Sequence, residues 1–123
     1  MSRAFFGKSS CFKVQYRQGN CYFQMGKKSV DGKWSWDKLK MNDIELGEMV
    51  RLLNKGKEKM SAFHKFKAPS GTESENKLWI SHAPDGAVFV KINDVTKSMS
   101  DGEQEVLRIL LERIIFMMAK AEE

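Results

Sequence analysis

The feature that most constrains the fold is the apolar segment near the carboxyl end of the chain, SDGEQEVLRILLERIIFMMAK, residues 100–120. Ser100 followed three residues later by Glu103 is typical of a capping box, so we predict a helix that begins here. Apolar residues then follow at helical spacing: Val106, Leu107, Leu110, Leu111, Ile114 and Met118. Ile109, Ile115, Phe116 and Met117 widen this apolar surface beyond what one sheet would cover. The pattern favours a helix between a sheet and a second subunit, with a well-buried core helix of a monomer as the alternative.

A weaker copy of the same pattern occurs earlier in the chain. Asn42 and Glu45 repeat the cap, and an amphipathic helix is predicted from Asn42 to Asn54. An Asp-Gly turn and a strand-like run precede each helix (Asp31-Gly32 and Asp85-Gly86). We therefore predict one domain, 1–123, with internal repeats at 11–56 and 60–120, although two unrelated amphipathic helices could also match by chance.

The remaining segments alternate between apolar and polar residues, which predicts strands that are buried on one face. The predicted strands are 11–17, 21–25, 33–38, 60–67, 77–81 and 87–92. Residues 1–10 are left open between a docked arm and an edge strand, and 68–76 is expected to be a flexible loop. The order strands, helix, strands, helix favours an α+β fold, in which antiparallel curved sheets carry helices packed on one side.

Composition narrows the classes of function. The net charge is +5 and the pI is about 9.3, with the basic residues concentrated in residues 1–67, which is typical of proteins that meet nucleic acid or anionic surfaces. Two cysteines and two histidines are too few for a disulfide scaffold or a zinc site of the usual spacing. The longest apolar run is too short to cross a membrane, and the amino terminus does not resemble a targeting segment. We expect an intracellular protein, in the cytoplasm or nucleoid.

The sequence does not point to an enzyme. The Gly-Lys pairs lack the rest of a phosphate-binding loop, and neither His64 nor His82 has a serine or cysteine partner visible in the sequence. Carboxylates cluster at helix starts, where capping accounts for them. We predict no catalytic residues, no cofactor and no metal.

A basic and aromatic sheet face does recur. If Leu78, Ile80 and Val88 face the helix, Trp79 and Phe89 face the other way. The first half would carry Lys13, Gln15, Arg17, Tyr22, Gln24, Lys33 and Ser35 on its matching face, whereas Trp34 and Trp36 are expected in the core. The predicted binding residues are Lys13, Arg17, Tyr22, Lys33, Phe63, Lys65, Lys67, Lys77, Trp79, Phe89 and Lys91.

Such a face suits single-stranded nucleic acid, because cations neutralise phosphates and exposed rings stack on unpaired bases. Two alternatives stay open. Trp79 and Phe89 could pack under a loop or at a subunit contact, with the lysines merely solvated. The same face could also dock a protein partner, which would make the chain a protein–protein interaction subunit.

The segment KWSWDKLKMNDIELGEMVRLLNKG, residues 33–56, resembles the strand, loop and helix of the positive cofactor four coactivators, which share a superfamily with the Whirly proteins. This resemblance implies a curved antiparallel sheet before an amphipathic helix, two such units in the chain, and binding of single-stranded DNA or RNA in transcription, replication or repair. It implies contacts by Lys13, Arg17, Lys33, Lys65, Trp79 and Lys91. It also implies a homo-oligomer held by the last helix, for which we nominate Leu110, Ile114, Phe116 and Met117. The usual fourth strand of each unit is not evident from the sequence, and the Whirly-type lysine-rich run is absent.

Overall fold

The chain forms two successive units, each made of four antiparallel strands followed by a helix. The computed structural model describes residues 1–121, without the side chain of Phe66. The first unit contains β1 (Ser2–Phe6), β2 (Ser10–Arg17), β3 (Asn20–Lys28), β4 (Trp34–Met41) and α1 (Asp43–Leu53). The second contains β5 (Lys59–Lys67), β6 (Glu73–His82), β7 (Val88–Ile92), β8 (Val95–Met99) and α2 (Asp101–Ala121). Each sheet is a meander in chain order, which confirms the predicted α+β class, whereas the internal duplication stays a prediction.

Two further strands complete the sheets: β1, which the sequence left open between a docked arm and an edge strand, and β8, which the sequence pattern did not predict. β1 pairs with β2, and Phe5 lies buried opposite Phe12. β8 pairs with β7 and buries Val95 and Met99. Its alternation is hard to recognise because Lys97 occupies a core-facing position, where its Nζ lies 3.1 Å from Oε1 of Glu103.

Other element boundaries extend beyond the predicted ones. β4 continues to Met41 and β3 to Lys28, while β6 begins at Glu73, so the predicted loop 68–76 shrinks to residues 68–72. The longer β6 arises because β5 pairs with it as far as Lys67 opposite Glu73, well beyond the five residues that β7 covers.

Both predicted capping boxes are present. The Oδ1 atom of Asn42 accepts a hydrogen bond from the Glu45 amide at 2.8 Å, and Oε1 of Glu45 accepts one from the Asn42 amide at 2.9 Å. At α2, Ser100 Oγ accepts from the Glu103 amide at 3.3 Å, and Glu103 Oε1 accepts from the Ser100 amide at 3.0 Å. These reciprocal bonds satisfy amides that have no partner within the helix, so they fix where each helix begins.

One hydrophobic core joins the two units. It contains the inward faces of both sheets, for example Phe23 and Ile80, together with the buried faces of both helices, and α1 packs against α2. The opposite face of each sheet is therefore left outside the core. Among residues 1–121, no helix has the length and apolar character needed to cross a membrane.

The last helix buries only part of its apolar surface. Leu107, Leu111 and Ile114 are buried, whereas Val106, Ile109 and Phe116 are 41%, 54% and 66% exposed. Ile114 was therefore wrongly nominated as an oligomer contact, because the chain's own core already covers it completely. Leu110 and Met117 are partly buried against the same core.

Candidate nucleic-acid interface

The outward side of the second sheet brings together seven of the predicted binding residues. Alternation along the paired strands β5, β6 and β7 places these side chains on the same side of the sheet. We call this side the second outer face; its predicted binding residues are Phe63, Lys65, Lys67, Lys77, Trp79, Phe89 and Lys91. Phe63 lies opposite Lys77, and Trp79 lies opposite Lys91. The Trp79 and Phe89 side chains are 37% and 40% exposed, so in the single chain no loop seals them.

Two rings and two ammonium groups of the second outer face lie beside one another. The Phe63 and Trp79 ring centroids are 5.9 Å apart, with the planes at 81°. Lys91 Nζ lies 5.3 Å from the Trp79 centroid, and Lys77 Nζ lies 6.0 Å from that of Phe63. Such cation–π contacts hold the cations beside the rings while leaving them exposed to solvent.

The second outer face also carries carboxylates at one end. Glu73 and Glu75 lie opposite Lys67 and Lys65, and Lys77 Nζ is 3.8 Å from Glu75 Oε1. The Lys77 and Glu75 side chains are exposed, so their ion pair contributes only about 0–1 kcal/mol and can open to admit another anion. The net positive charge of this end of the face is nevertheless reduced.

The outward side of the first sheet is more uniformly basic. This first outer face contains Lys13, Arg17, Lys28, Lys38 and Lys40, with Gln15, Tyr22 and Gln24 among them. Within the described residues, no Asp or Glu occupies an outward strand position of this sheet. The predicted placement of Lys13, Gln15, Arg17, Tyr22 and Gln24 on one face is confirmed.

Four other placements in this region were wrong. Leu39 and Met41 are the buried residues of β4, and they fix its phase. Alternation from Leu39 back along the strand puts Trp34 and Trp36 on the first outer face, where they are 39% and 45% exposed, instead of in the core. The same alternation places Ser35 on the opposite side of β4, away from the first outer face. Lys33 is exposed in the turn before β4, so it does not belong to the face.

The two tryptophans form a ring platform that sequence reasoning missed. The Trp34 and Trp36 centroids are 5.8 Å apart, with the planes inclined by 22°. Trp36 lies directly on Gly26, its partner across β3, and a Cβ atom at Gly26 would be 2.8 Å from two carbons of the indole ring. Nearby, Lys38 Nζ lies 4.1 Å from the Tyr22 centroid. The alternation of Leu39 and Met41 was the signal that could have revealed this platform.

A groove joins the two outer faces where β4 approaches β6. It has a volume of about 720 Å³, and its lining includes Tyr22, Trp36, Lys38, His64, Lys65 and Asn76. Asn76 Nδ2 donates a hydrogen bond to the Lys38 carbonyl at 2.7 Å, which ties the two sheets together here. His64 Nε2 lies 2.7 Å from Glu45 Oε2, so the groove wall is also anchored to α1. A ligand could therefore pass from one face to the other without leaving the protein surface.

His82 and the two cysteines, which the sequence offered as reactive side chains, lie in structural positions. His82 Nε2 is 2.8 Å from the Leu52 carbonyl at the end of α1. Cys11 and Cys21 are buried free thiols, and burial raises the pKa of Cys21 to about 12. Across residues 1–121, no group of three or more His, Cys, Asp or Glu side chains is placed to hold a metal ion.

Comparison with known proteins identifies the fold. No family model and no curated protein sequence matches the chain. Among solved structures, the plant transcriptional regulator PBF-2 is similar with a TM-score of 0.73 at 11% identity, over 99% of this chain and 84% of that one. WHY3 from Arabidopsis thaliana gives a TM-score of 0.70 at 13% identity, over 94% and 86% of the two chains. The chain has a Whirly-like fold.

The trypanosome MRP1/MRP2 proteins share this Whirly-like fold more distantly, with a TM-score of 0.62 at 9% identity over 100% of this chain and 87% of that one. The resemblance drawn from residues 33–56 is therefore confirmed at the level of the fold. β1 and β8 supply the fourth strand of each unit that the sequence pattern did not reveal. The binding roles of individual residues stay predictions.

Proposed function

We propose that this protein binds single-stranded nucleic acid, DNA or RNA, across its two outer faces. The observation that carries the proposal is the first outer face, where five cations and the rings of Tyr22, Trp34 and Trp36 share outward strand positions, none of which in the described sheet holds a carboxylate. One protein of the same fold is described as a plant transcriptional regulator. A role in transcription, replication or repair, inside the cell, agrees with this chemistry.

The basic and the aromatic side chains would make different contributions to binding. Lys13, Arg17 and Lys40 would neutralise phosphates, which gives affinity for any sequence. Rings that are partly exposed, such as Trp36 and Trp79, would stack on unpaired bases, each base contributing about 1–3 kcal/mol. Bases inside a duplex have no free face for such rings, so we expect preference for single strands. The role is binding, without catalysis.

A fluorescence anisotropy titration of a labelled single-stranded oligonucleotide at two salt concentrations tests the proposal. The logarithm of the affinity should fall with the logarithm of the salt concentration, with a slope of about −0.7 for each phosphate neutralised. Lys38→Ala should weaken binding and reduce the slope. Lys120→Ala removes an exposed lysine from α2, away from both faces, and should leave binding unchanged. A flat titration at low salt would eliminate the proposal.

A protein partner on the second outer face is the alternative function. The mixed charges of Lys65, Lys67, Glu73 and Glu75 favour it there, since paired opposite charges are common at protein interfaces. Capture of a partner that persists after nuclease treatment, and that Phe89→Ala weakens, would support this alternative. Capture that is lost after nuclease treatment would support nucleic acid.

We also propose that the protein forms a homo-oligomer through the outer side of α2. Val106, Ile109 and Phe116 are exposed there without a partner in the described chain. In an antiparallel pairing of two α2 helices, Ile109 can lie beside Phe116 of the partner subunit while Glu112 lies beside Arg113 of the partner subunit, so that apolar and charged residues match together. Ile109→Glu should dissociate the oligomer in analytical ultracentrifugation without unfolding the chain. A sedimentation coefficient that does not change would contradict the pairing.

A further inference from the structure

A depression beside Trp79 lies at the border of the second outer face. It has a volume of about 600 Å³, and its lining includes Trp79, Ser61, Ser81, Lys57, Lys59 and Glu48. Ser61 lies directly opposite Trp79 in the pairing of β5 with β6, and Ser81 lies opposite Lys59. Because both serine side chains are short, they leave space beside the indole ring on this side of the sheet.

The lining offers the groups that bind one nucleotide of a strand. Trp79 is 37% exposed, so its ring can stack on a base. Lys57 and Lys59 are exposed, and each ammonium group has three N–H donors for phosphate oxygens, to which the Ser81 hydroxyl adds one more. The depression therefore combines a stacking surface with cations at its rim.

The depression continues past Ser81 towards the end of α1. A neighbouring depression of about 560 Å³ shares Lys57, Lys59 and Ser81 with it and adds Lys55 and Glu58. Three lysines thus accompany the two carboxylates, Glu48 and Glu58, which leaves the border positive. A strand that stacks a base on Trp79 can run on in this direction, so a phosphate bound beside Trp79 is an internal phosphate of the strand.

Glu48 of α1 already occupies one of these lysines in the free protein. Lys57 Nζ lies 3.6 Å from Glu48 Oε2, and the two side chains are 42% and 45% exposed. An exposed pair of this kind is weak, so a phosphate can take the place of the carboxylate. The carboxylate nevertheless competes with the phosphate for Lys57 and repels it.

We propose that Lys57, Lys59 and Ser81 form a phosphate site for the nucleotide whose base stacks on Trp79, and that Glu48 limits the affinity of this site by holding Lys57. The inference rests on the proposed function and adds to it a site that the alternation of the strands did not reveal. Its distinctive consequence is that removal of one carboxylate strengthens binding.

Anisotropy titrations of a labelled single-stranded oligonucleotide at two salt concentrations test the inference. Lys57→Ala and Lys59→Ala should each weaken binding roughly two- to fivefold and make the salt slope shallower by about 0.7. Glu48→Gln should strengthen binding roughly two- to fivefold. Glu105→Gln is the matched control, because it makes the same change of charge on α2, where Glu105 pairs with Arg108. It should leave the affinity within about twofold of wild type.

A double-mutant cycle separates competition for Lys57 from a general effect of charge. In the Lys57→Ala background, Glu48→Gln should strengthen binding less than it does in wild type. Equal strengthening in the two backgrounds, or the same gain from Glu105→Gln, would overturn the inference.

Circular dichroism would show whether each variant is folded. Glu48→Gln keeps the test informative if a lysine variant unfolds, since loss of structure cannot strengthen binding. Wild-type affinity in both folded lysine variants would overturn the inference while leaving the proposed function intact. If wild type binds no oligonucleotide at all, the proposed function itself fails.

Discussion

The contact between Gly26 and Trp36 allows a sharp test of the ring platform. Gly26→Ala would put a methyl group 2.8 Å from the indole ring, well inside the ordinary contact distance. Overpacking in a closed core costs about 1–3 kcal/mol. Because Trp36 is 45% exposed, its ring can instead swing towards solvent. The alanine also recovers about 0.5–1 kcal/mol of the entropy cost of glycine in a strand, so we expect the free energy of unfolding to change by at most about 1 kcal/mol.

Gly26→Ala should affect the binding of single-stranded nucleic acid more strongly than the stability of the fold. A displaced Trp36 ring no longer stacks on Trp34 and no longer presents its face to a base, which removes about 1–3 kcal/mol of binding free energy for the base concerned. This corresponds to roughly 5- to 150-fold weaker binding of a single-stranded oligonucleotide. Gly26→Ala should therefore bind about as weakly as Trp36→Ala, while remaining folded.

A double-mutant cycle isolates the contact. Urea unfolding and anisotropy titrations would be measured for wild type, Gly26→Ala, Trp36→Ala and the double variant. In the Trp36→Ala background, Gly26→Ala should no longer weaken binding, and it should stabilise the fold because the clash is gone. Additive effects in the two assays, or wild-type binding by Gly26→Ala, would refute the reasoning.

Three further predictions concern the fold. Gly47→Ala should stabilise the protein by about 0.5–1 kcal/mol, measured by urea unfolding, because Gly47 lies inside α1 and nothing lies within 4 Å of the added methyl group; a destabilised variant would contradict this. Glu103→Gln should cost about 1–3 kcal/mol at pH 7, because it leaves the buried Lys97 ammonium without its carboxylate. Burial alone raises the pKa of Glu103, but hydrogen bonds from the Ser100 amide and Lys97 lower it overall. The difference in unfolding free energy between wild type and Glu103→Gln should therefore shrink as the pH falls through this depressed pKa, because protonation of the carboxylate removes the wild type's advantage. A difference that does not change with pH would argue against the ion pair. Cys21 should resist thiol reagents in the native protein and react only after unfolding, since burial raises its pKa to about 12; rapid native-state labelling of both cysteines would show that this core opens.

The residues of the second outer face could be predicted from the alternation of apolar and polar residues along the strands alone. Leu78 and Ile80 alternate with Lys77 and Trp79, and the side chains of a strand must point to opposite faces, so burying one set exposes the other. The helix starts were equally predictable, because a capping box is satisfied by residues three apart in the sequence.

The first outer face could not be recognised fully in this way. Two tryptophans in one phase of a short strand resemble core residues, and only the continuation of β4 to Leu39 and Met41 shows that they point outward. The position of the Trp36 ring also depends on Gly26, a residue of another strand, which leaves room for it. Similarly, the core-facing position of Lys97 in β8 is compatible with burial because its ammonium group pairs with Glu103 in α2, a partner that strand alternation does not reveal.

Local periodicity and capping chemistry in the sequence thus determined the two helices, most of the strands, the basic character of the chain and its resemblance to Whirly proteins. The tertiary structure decided which side of β4 faces solvent, that β1 and β8 complete the sheets, and that Ile114 belongs to the core. The physical reason is that exposure, strand pairing and ion pairing depend on partners distant in the chain, whereas periodicity and capping depend only on near neighbours.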